Sequence, residues 1–501
     1  MRYFYLLLLV SCLCTPARAQ MWEKAYGTAA RTERNTLVVE VPGPTGGYLL
    51  AGQQLLPNTA IRSQVYLVRT NGLGDTLWTR RFAPPLSLQP RPSGLAIDAQ
   101  GNVILAVSSV TASPVPASHL IKFNPTCDTI RWQNFYQPVY PPTASGGASS
   151  IGSVYVAPGG NIQFIQFDSY FAGQTNHLAS SVVKVDAATG SPLWRFDLSQ
   201  YAANAGFDPR VQAYGFVPYP GGVMLYLHLF VPNATTYGYG EYLFINAAGT
   251  VARSKRGRIT FNSADSFPVF CALRDGNVAV ARRQKIYKIS TAPATAGDTL
   301  WHTTIPPTYQ YREWDARAMT EDIDGNILLV GDSYMAIPNQ GYYNQQVHVV
   351  RFTGRGTYNT DLLFSRNGDN VATSVLLGPS GYDVLFGSYT TQGPIGGGDM
   401  LLTGYTGLRR LLSSSPGAAR PAVLTTYPNP APAYTGAWAK LPDGRGGELR
   451  VLDALGRVVA QQAVAAGQQT VSVAVLEPGV YVLRFVPAGG GPPHTARLLR
   501  E

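Results

Sequence analysis

The segment Gly101-Asn102-Val103-Ile104-Leu105-Ala106-Val107 contains the local pattern that decides the fold, a glycine turn followed at once by a short apolar strand. Equivalent turn-strand segments begin at seven glycines, which are Gly47, Gly101, Gly160, Gly222, Gly276, Gly325 and Gly381. The intervals between them are 54, 59, 62, 54, 49 and 56 residues. The chain is therefore built from a unit that recurs seven times.

Each turn strand is followed by a second apolar strand, such as Val65–Arg69 or Val347–Phe352, and then by a turn that leads into another strand. In several units this last strand carries a tryptophan, and Gly-Asp-Thr-Leu-Trp occurs at both 74–78 and 297–301. With the apolar run before each glycine, the unit has four strands, which is one blade of a β-propeller. The repeat predicts seven blades with tryptophans packed between them.

A propeller needs a device that closes its ring, and the N-terminal segment Trp22–Gly27 is the candidate. It resembles the tryptophan strands but has no turn strand before it, so we expect it to complete the last blade and remove an open sheet edge. The competing segment, Leu408–Leu412, lacks the tryptophan.

Composition agrees with an all-β chain, because 45% of residues are hydrophobic, 14% are charged, and 52 glycines and 37 prolines supply turns. The net charge of +10 is spread thinly except at Arg253–Arg258, on the predicted outer strand of the fourth blade. These charges could contact anionic glycans or lipid headgroups, or could protect a sheet edge from aggregation; we favour protection. Nothing indicates nucleic-acid recognition.

The first 19 residues are typical of a signal peptide, with a basic start, a short apolar run and an Ala-Arg-Ala site that predicts cleavage between Ala19 and Gln20. A lipidation motif ending at Cys12 is the alternative. The mature chain keeps only Cys127 and Cys271, whose pairing the sequence leaves open, and we expect separate thiols. No mature segment is apolar enough to span a membrane.

The sequence shows no recognisable catalytic set, no metal-ligand cluster and no cofactor motif. The six histidines are scattered, and His119 and His348 occupy matching places in two units, which indicates a repeat position. Asp322–Asn326 begins like a calcium loop but lacks the downstream glutamate, so we interpret it as a turn. We therefore predict no catalytic residue, no metal and no cofactor, and leave open whether the protein is an enzyme.

The chain changes character at Ser413–Pro421, a Ser/Pro/Gly-rich linker. Alternating apolar residues beyond it predict a small Ig-like antiparallel β-sandwich. The predicted organisation is a signal peptide at 1–19, a β-propeller at 20–412, a linker at 413–423 and a C-terminal domain at 424–501.

The C-terminal domain resembles the type A sorting domain of the type IX secretion system. Its motif residues are Tyr427, Pro428, Asn429, Pro430, Asp453, Gly456, Arg457, Gly479 and Tyr481. The resemblance implies handling by the type IX secretion machinery, passage across an outer membrane, and then release or attachment to surface lipopolysaccharide.

In the propeller, Asp186–Trp194 resembles the tryptophan-docking motif of quinoprotein-like propellers, and the repeat is also kelch-like. The quinoprotein resemblance implies a structural motif that locks neighbouring blades. Redox chemistry in that family needs adjacent cysteines or their equivalent, and the mature chain has no adjacent cysteines, so the activity does not follow from the fold.

We therefore predict a secreted surface propeller that acts as a binding or adhesion module for a glycan, lipopolysaccharide or protein. A surface hydrolase or lyase with acids on the blade loops is one alternative, and a passive surface-layer component is another. The inserted segments 137–150 and 168–179 are where a site of either kind would lie.

Overall fold

A computed structural model describes residues 20–406 and 425–500 apart from short gaps, the longest of which are 109–117, 137–143, 261–267, 337–342 and 428–436. The chain divides into two compact units, residues 1–412 and 413–501. The predicted signal peptide and linker lie outside the described residues.

The first unit is almost entirely antiparallel β-structure. After β1 (Gln20–Tyr26), sheet 1 contains β2 (Glu33–Glu40), β3 (Tyr48–Leu55), β4 (Ser63–Thr70) and β5 (Thr76–Phe82). Sheet 2 contains β6 (Arg91–Ile97), β7 (Val103–Ser108), β8 (Ser118–Phe123) and β9 (Ile130–Tyr136). Sheet 3 contains β10 (Ala144–Val156), β11 (Ile162–Ala172), β12 (Thr175–Val185) and β13 (Pro192–Asp197).

A short helix, α1 (Leu198–Asn204), separates sheets 3 and 4. Sheet 4 contains β14 (Val211–Tyr219), β15 (Gly222–Phe230), β16 (Tyr237–Asn246) and β17 (Val251–Thr260). Sheet 5 contains β18 (Val269–Ala272), β19 (Val278–Arg282), β20 (Lys285–Ile289) and β21 (Thr299–Thr304). Sheet 6 contains β22 (Tyr311–Glu321), β23 (Ile327–Ala336), β24 (Tyr343–Phe352) and β25 (Tyr358–Phe364).

Sheet 7 is the exception in chain order, because three of its strands come from the end of the unit and one from its beginning. Its strands are β26 (Asn370–Leu377), β27 (Val384–Thr390), β28 (Asp399–Thr406) and β1. β1 pairs antiparallel with β28, with Trp22 opposite Gly404. The predicted closure by the N-terminal strand is confirmed, whereas residues 408–412 lie outside the described part of the chain.

Alternating side chains let each sheet bury both faces, so neighbouring sheets share a hydrophobic core. In β3, Leu49 faces a core shared with sheet 2, and Leu50 faces one shared with sheet 7. Equivalent cores join sheets 2 and 3, 3 and 4, 4 and 5, 5 and 6, and 6 and 7. Within the described residues the seven four-stranded sheets thus close on themselves, in a β-propeller-like arrangement.

At the outer edge, four tryptophans each pack on a turn of the next sheet. Trp194 donates its indole N–H to the Ala247 carbonyl at 3.2 Å. A Cβ on the adjacent Gly249, which has φ +82°, would lie 2.6 Å from the indole ring. The same close approach pairs Trp22 with Gly74, Trp132 with Gly190 and Trp301 with Gly356. The predicted packing role of these tryptophans is confirmed.

The second unit contains two antiparallel sheets around one core. The first sheet has β29 (Thr425–Tyr427), β30 (Ala437–Lys440) and β33 (Thr470–Val473). The second has β31 (Gly447–Leu452), β32 (Val458–Val464), β34 (Gly479–Pro487) and β35 (His494–Arg500). Ala439 and Val471 from the first sheet pack with Leu449, Phe485 and Leu498 from the second.

Candidate functional site

A cavity of about 570 Å³ lies where the innermost strands of the sheets meet, and we call it the central cavity. Strands of sheets 1, 2, 3, 6 and 7 supply its walls. Its polar lining residues are Asn35, Arg91, Ser93, Ser108, Ser150, Arg317, Gln345, Thr373 and Tyr389.

β-bulges in the innermost strands shape this cavity. Among the described residues, six of the seven innermost strands shift register against their neighbour, and only short β18 keeps an even ladder. Because a bulge adds a residue and changes the direction of a side chain, it can aim a polar group at a site. Asn35, Ser93, Arg317 and Thr373 lie in such bulges and line the cavity.

Two arginines line the cavity, and one of them is paired with an acid behind the wall. Arg91 donates to Asn35 Oδ1 at 3.2 Å, and Asn35 adopts a left-handed φ of 56° in its bulge. Arg317 donates from Nε to Asp332 Oδ2 at 2.6 Å. No carboxylate is found among the residues that line the cavity in the described part of the chain. Arg91 is therefore the lining side chain best placed to meet an anionic group, which arginine binds through paired N–H donors.

Asp332 lies behind the cavity wall and holds Arg317 and the Ala372 backbone in place. Its side chain is fully buried, and its second oxygen accepts from the Ala372 backbone N–H at 2.7 Å, beside the bulge at Thr373. Burial raises the pKa of Asp332 to about 6, although the nearby Arg317 acts in the opposite direction. Asp332 is thus a positioning group that fixes two bulges of adjacent sheets.

A second cavity of about 450 Å³ lies between sheets 3 and 4 and shares Phe167 with the central cavity. Leu178, Val211 and Tyr214 make it largely apolar. The buried carboxylate of Asp168, whose pKa is raised by burial, lies in its wall and has an ion-pair contact with Arg195 at 3.6 Å. This side pocket includes the ends of the 168–179 insertion, whereas residues 137–143 of the other insertion lie outside the described residues.

The other residues that the sequence pattern indicated make structural contacts. His119 and His348 lie on the third strands of sheets 2 and 6, as the repeat predicts, with His348 bonded to Asp361 at 2.8 Å. Asp322 accepts from the Asn326 backbone N–H at 2.9 Å and forms a buried ion pair with Arg351, so this loop is the predicted turn.

The basic cluster of β17 contributes to contacts between elements. The stem of Lys255 packs against the turn glycine Gly297 of sheet 5, and its Nζ lies 2.8 Å from Asp298. Arg256 contacts Glu241 at 3.0 Å.

Cys127 and Cys271 are separate thiols in sheets 2 and 5. Burial raises the pKa of each to about 12, which leaves both inert as nucleophiles. In the described residues, no group of three or more His, Cys, Asp or Glu side chains is placed to hold a metal ion.

In the second unit, several motif residues meet in two turns. Asp453 accepts from the Arg457 backbone N–H at 2.9 Å and from its Nε at 2.7 Å, while Gly456 adopts φ +78° between them. Gly479 begins β34, and the Tyr481 hydroxyl donates to the Glu477 carbonyl at 2.8 Å. Tyr427 ends β29, whereas Pro428, Asn429, Pro430 and Ala19 lie outside the described residues, and Gln20 begins β1.

Most of the C-terminal unit matches one known protein family. Residues 425–490 match the family described as secretion system C-terminal sorting domain. The chain is therefore exported by the type IX secretion system to the cell surface or beyond it. Among the described residues, no helix combines the length and the apolar character needed to cross a bilayer.

Comparison with curated proteins finds no match. Among solved structures, puromycin hydrolase is 13% identical, with a TM-score of 0.44 over 93% of this chain and 60% of that one. An α-L-arabinofuranosidase from Fusarium graminearum is 12% identical, with a TM-score of 0.40 over 66% of this chain and 98% of that one. PorZ, a surface component of the type IX secretion system of Porphyromonas gingivalis, is 11% identical, with a TM-score of 0.29 over 95% and 59%. The chain thus spans about 60% of the length of two of these proteins, and similarities this distant carry no functional argument.

Proposed function

We propose that this protein is a seven-bladed β-propeller that acts at the cell surface as a binding or adhesion module for an acidic polymer, with an Ig-like sandwich as its sorting domain. The observation that carries the proposal is the central cavity, where Arg91 and Arg317 line one space together with hydroxyl and amide groups. Such a lining binds a carboxylate or sulfate and hydrogen-bonds to neighbouring hydroxyls.

The side pocket supports a sugar rather than a free ion as the ligand. It adjoins the cavity at Phe167 and presents Tyr214 and Leu178, so an apolar ring face has a surface on which to pack. An acidic polysaccharide combines both requirements, because each uronic acid unit has a charged edge and an apolar face.

A glycan array with the chain from Gln20 to Glu501 tests this function. We expect acidic polysaccharides to bind and neutral ones of the same length to bind weakly. Arg91→Gln should reduce binding at least tenfold, whereas Arg253→Gln, which removes an exposed arginine from β17, should leave it unchanged. Equal binding of neutral and acidic glycans would contradict the proposal, and shortening of any bound polymer would establish the hydrolase or lyase alternative.

The proposed export route begins with a signal peptide cleaved between Ala19 and Gln20 and ends with recognition of the sorting domain. Deletion of residues 427–501 should leave the protein in the periplasm, as measured by fractionation and protease accessibility of whole cells. N-terminal sequencing of the exported protein checks the cleavage site, and a lipidated Cys12 at the N-terminus would contradict it. Surface display of the truncated chain would refute the sorting role.

A further inference from the structure

A third cavity, of about 270 Å³, lies between sheets 4 and 5, and we call it the tyrosine pocket. Strands β15, β16 and β17 of sheet 4 and strands β19 and β20 of sheet 5 supply its walls. Its aromatic and charged lining includes Tyr226, Tyr242, Tyr287 and Arg282. Among the described residues it shares no lining residue with the central cavity, so a ligand bound here meets a separate set of groups.

Part of the wall is bare main chain with open space above it. Gly240 of β16 pairs with Gly257 of β17, so the two residues face the same side of the sheet. A Cβ on Gly257 would meet no atom within 4 Å. Gly240 instead makes room for Tyr226, because a Cβ there would lie 1.9 Å from the Tyr226 hydroxyl oxygen. The open space at Gly257 therefore lies beside a phenol group.

Three tyrosine hydroxyls and one guanidinium lie close together in this pocket. Arg282 donates from Nη1 to Tyr226 Oη at 3.1 Å, and the rings of Tyr226 and Tyr242 have centroids 5.1 Å apart. Burial raises the pKa of Tyr242 well above its usual value, the nearby Tyr226 and Tyr287 add to the rise, and Arg282 acts in the opposite direction. Among the described residues the Tyr242 hydroxyl has no hydrogen-bond partner, so a protonated donor faces the pocket.

The charges at the rim of the pocket are largely matched. Lys255 lies 2.8 Å from Asp298, and Arg256 lies 3.0 Å from Glu241. No carboxylate is found among the described residues that line the pocket. Because a guanidinium has five N–H donors, the bond from Arg282 to a tyrosine orients this group and still allows it to bind a carboxylate.

The three cavities of the ring form a continuous row. Phe167 lies in the walls of the central cavity and the side pocket, and Pro268 lies in the walls of the side pocket and the tyrosine pocket. The row leads from the innermost strands to β17, the outermost strand of sheet 4. A ligand longer than one unit can therefore extend outward from the centre.

We propose that the tyrosine pocket binds one acidic sugar unit of a polymer that runs outward from the central cavity through the side pocket. This subsite rests on the proposed function, because it takes a further unit of the same ligand. A sugar ring has apolar faces that pack on tyrosine, while its carboxylate accepts from Arg282 and a ring hydroxyl from Tyr242. A volume of about 270 Å³ is below that of pockets for drug-sized ligands, which suits a single unit.

Titration calorimetry with galacturonic acid oligomers of two and ten units tests this subsite in the chain from Gln20 to Glu501. Arg282→Gln should lower the affinity for the longer oligomer about tenfold and change that for the shorter one much less, because only the longer one fills both the centre and the tyrosine pocket. Tyr242→Phe should lower the affinity for the longer oligomer by a smaller factor at an unchanged Tm, since the oxygen that it removes has no partner among the described residues.

Arg274→Gln is the matched control, because Arg274 is exposed in the turn before β19 of the same sheet and does not line the pocket. Its affinities for both oligomers should equal those of the wild type. Should Arg282→Gln fail to fold, Tyr242→Phe decides. A wild type that binds neither oligomer overturns the proposed function together with this subsite. Wild-type binding of both oligomers, with the longer one held equally well by Arg282→Gln and Tyr242→Phe, overturns the subsite alone.

Discussion

The outer edge of the ring repeats one contact between sheets, whereas the centre of the ring carries different residues in different sheets. At the edge one contact recurs, as with Trp194 on Gly249 and Trp301 on Gly356. At the centre, equivalent bulges carry different residues, such as Ser93, Arg317 and Thr373. A packing contact between neighbouring sheets can be repeated, whereas a ligand site needs different groups around one space. The comparison places a repeated stabilising contact at the edge and the proposed recognition site at the centre.

Removal of the strand that closes the ring should have the largest effect on the stability of the outer edge. Deletion of residues 21–28 removes β1 and leaves β28 as an open edge, and it also removes the indole of Trp22 from Gly74. We expect the largest loss of stability here, with a Tm at least 10 °C lower by calorimetry, because one core loses a strand. Deletion of residues 413–501 is the control for shortening the chain, and an unchanged Tm after removal of β1 would contradict the closure.

A single tryptophan tests the repeated contact. Trp194→Ala removes the indole from Gly249 and its hydrogen bond to Ala247, and should lower the free energy of unfolding by about 2 kcal/mol, since the ring is only partly buried. The neighbouring Leu193 is 52% exposed, so Leu193→Ala should change stability little. Equal effects of the two substitutions in urea unfolding would show that the docking contact contributes nothing.

The glycine on the other side of that contact should show an effect of similar size. Gly249 has φ +82°, where an L-residue costs about 1–2 kcal/mol, so Gly249→Ala should destabilise the protein by at least that amount. Gly257→Ala is the control, because its Cβ would meet no atom within 4 Å. Should the two variants unfold at the same urea concentration, the left-handed turn would not be required.

At the centre, the expected effect on stability depends on pH. The folded-state pKa of Asp332 is about 6, above the unfolded value of about 3.9, so the folded chain holds this proton more tightly. This contribution is present below pH 4 and is lost as the pH rises through 6. Asp332→Asn should therefore lose less stability than the wild type between pH 4 and pH 7, and identical pH profiles would refute the assignment.

The sequence predicts the repeated half of this comparison well. Glycine turns at intervals of about 50 residues identify all seven turn strands, and Trp22 identifies the closing strand, because each depends on local pattern. The central residues were missed. Arg91 and Arg317 share no motif, and a bulge leaves no periodic signal, so only the assembled ring brings them together.

The short helix α1 was not predicted either, since seven residues carry too little apolar periodicity. Its start does have a local signal, because Asp197 caps it by accepting from the Ser199 and Gln200 backbone N–H groups. Sequence reasoning thus succeeds where the signal is local and repeated, and fails where a site is assembled from distant strands.

The most direct test of the division between edge and centre measures acidic-glycan affinity and Tm together, for Arg91→Gln/Arg317→Gln and for Trp194→Ala. We predict that the double arginine variant loses binding at least a hundredfold, and that any fall in its Tm matches that of Arg317→Gln alone, which leaves the buried Asp332 without its partner. Trp194→Ala should melt lower but bind normally at 20 °C. Normal glycan binding by the double arginine variant would contradict the central cavity as the recognition site.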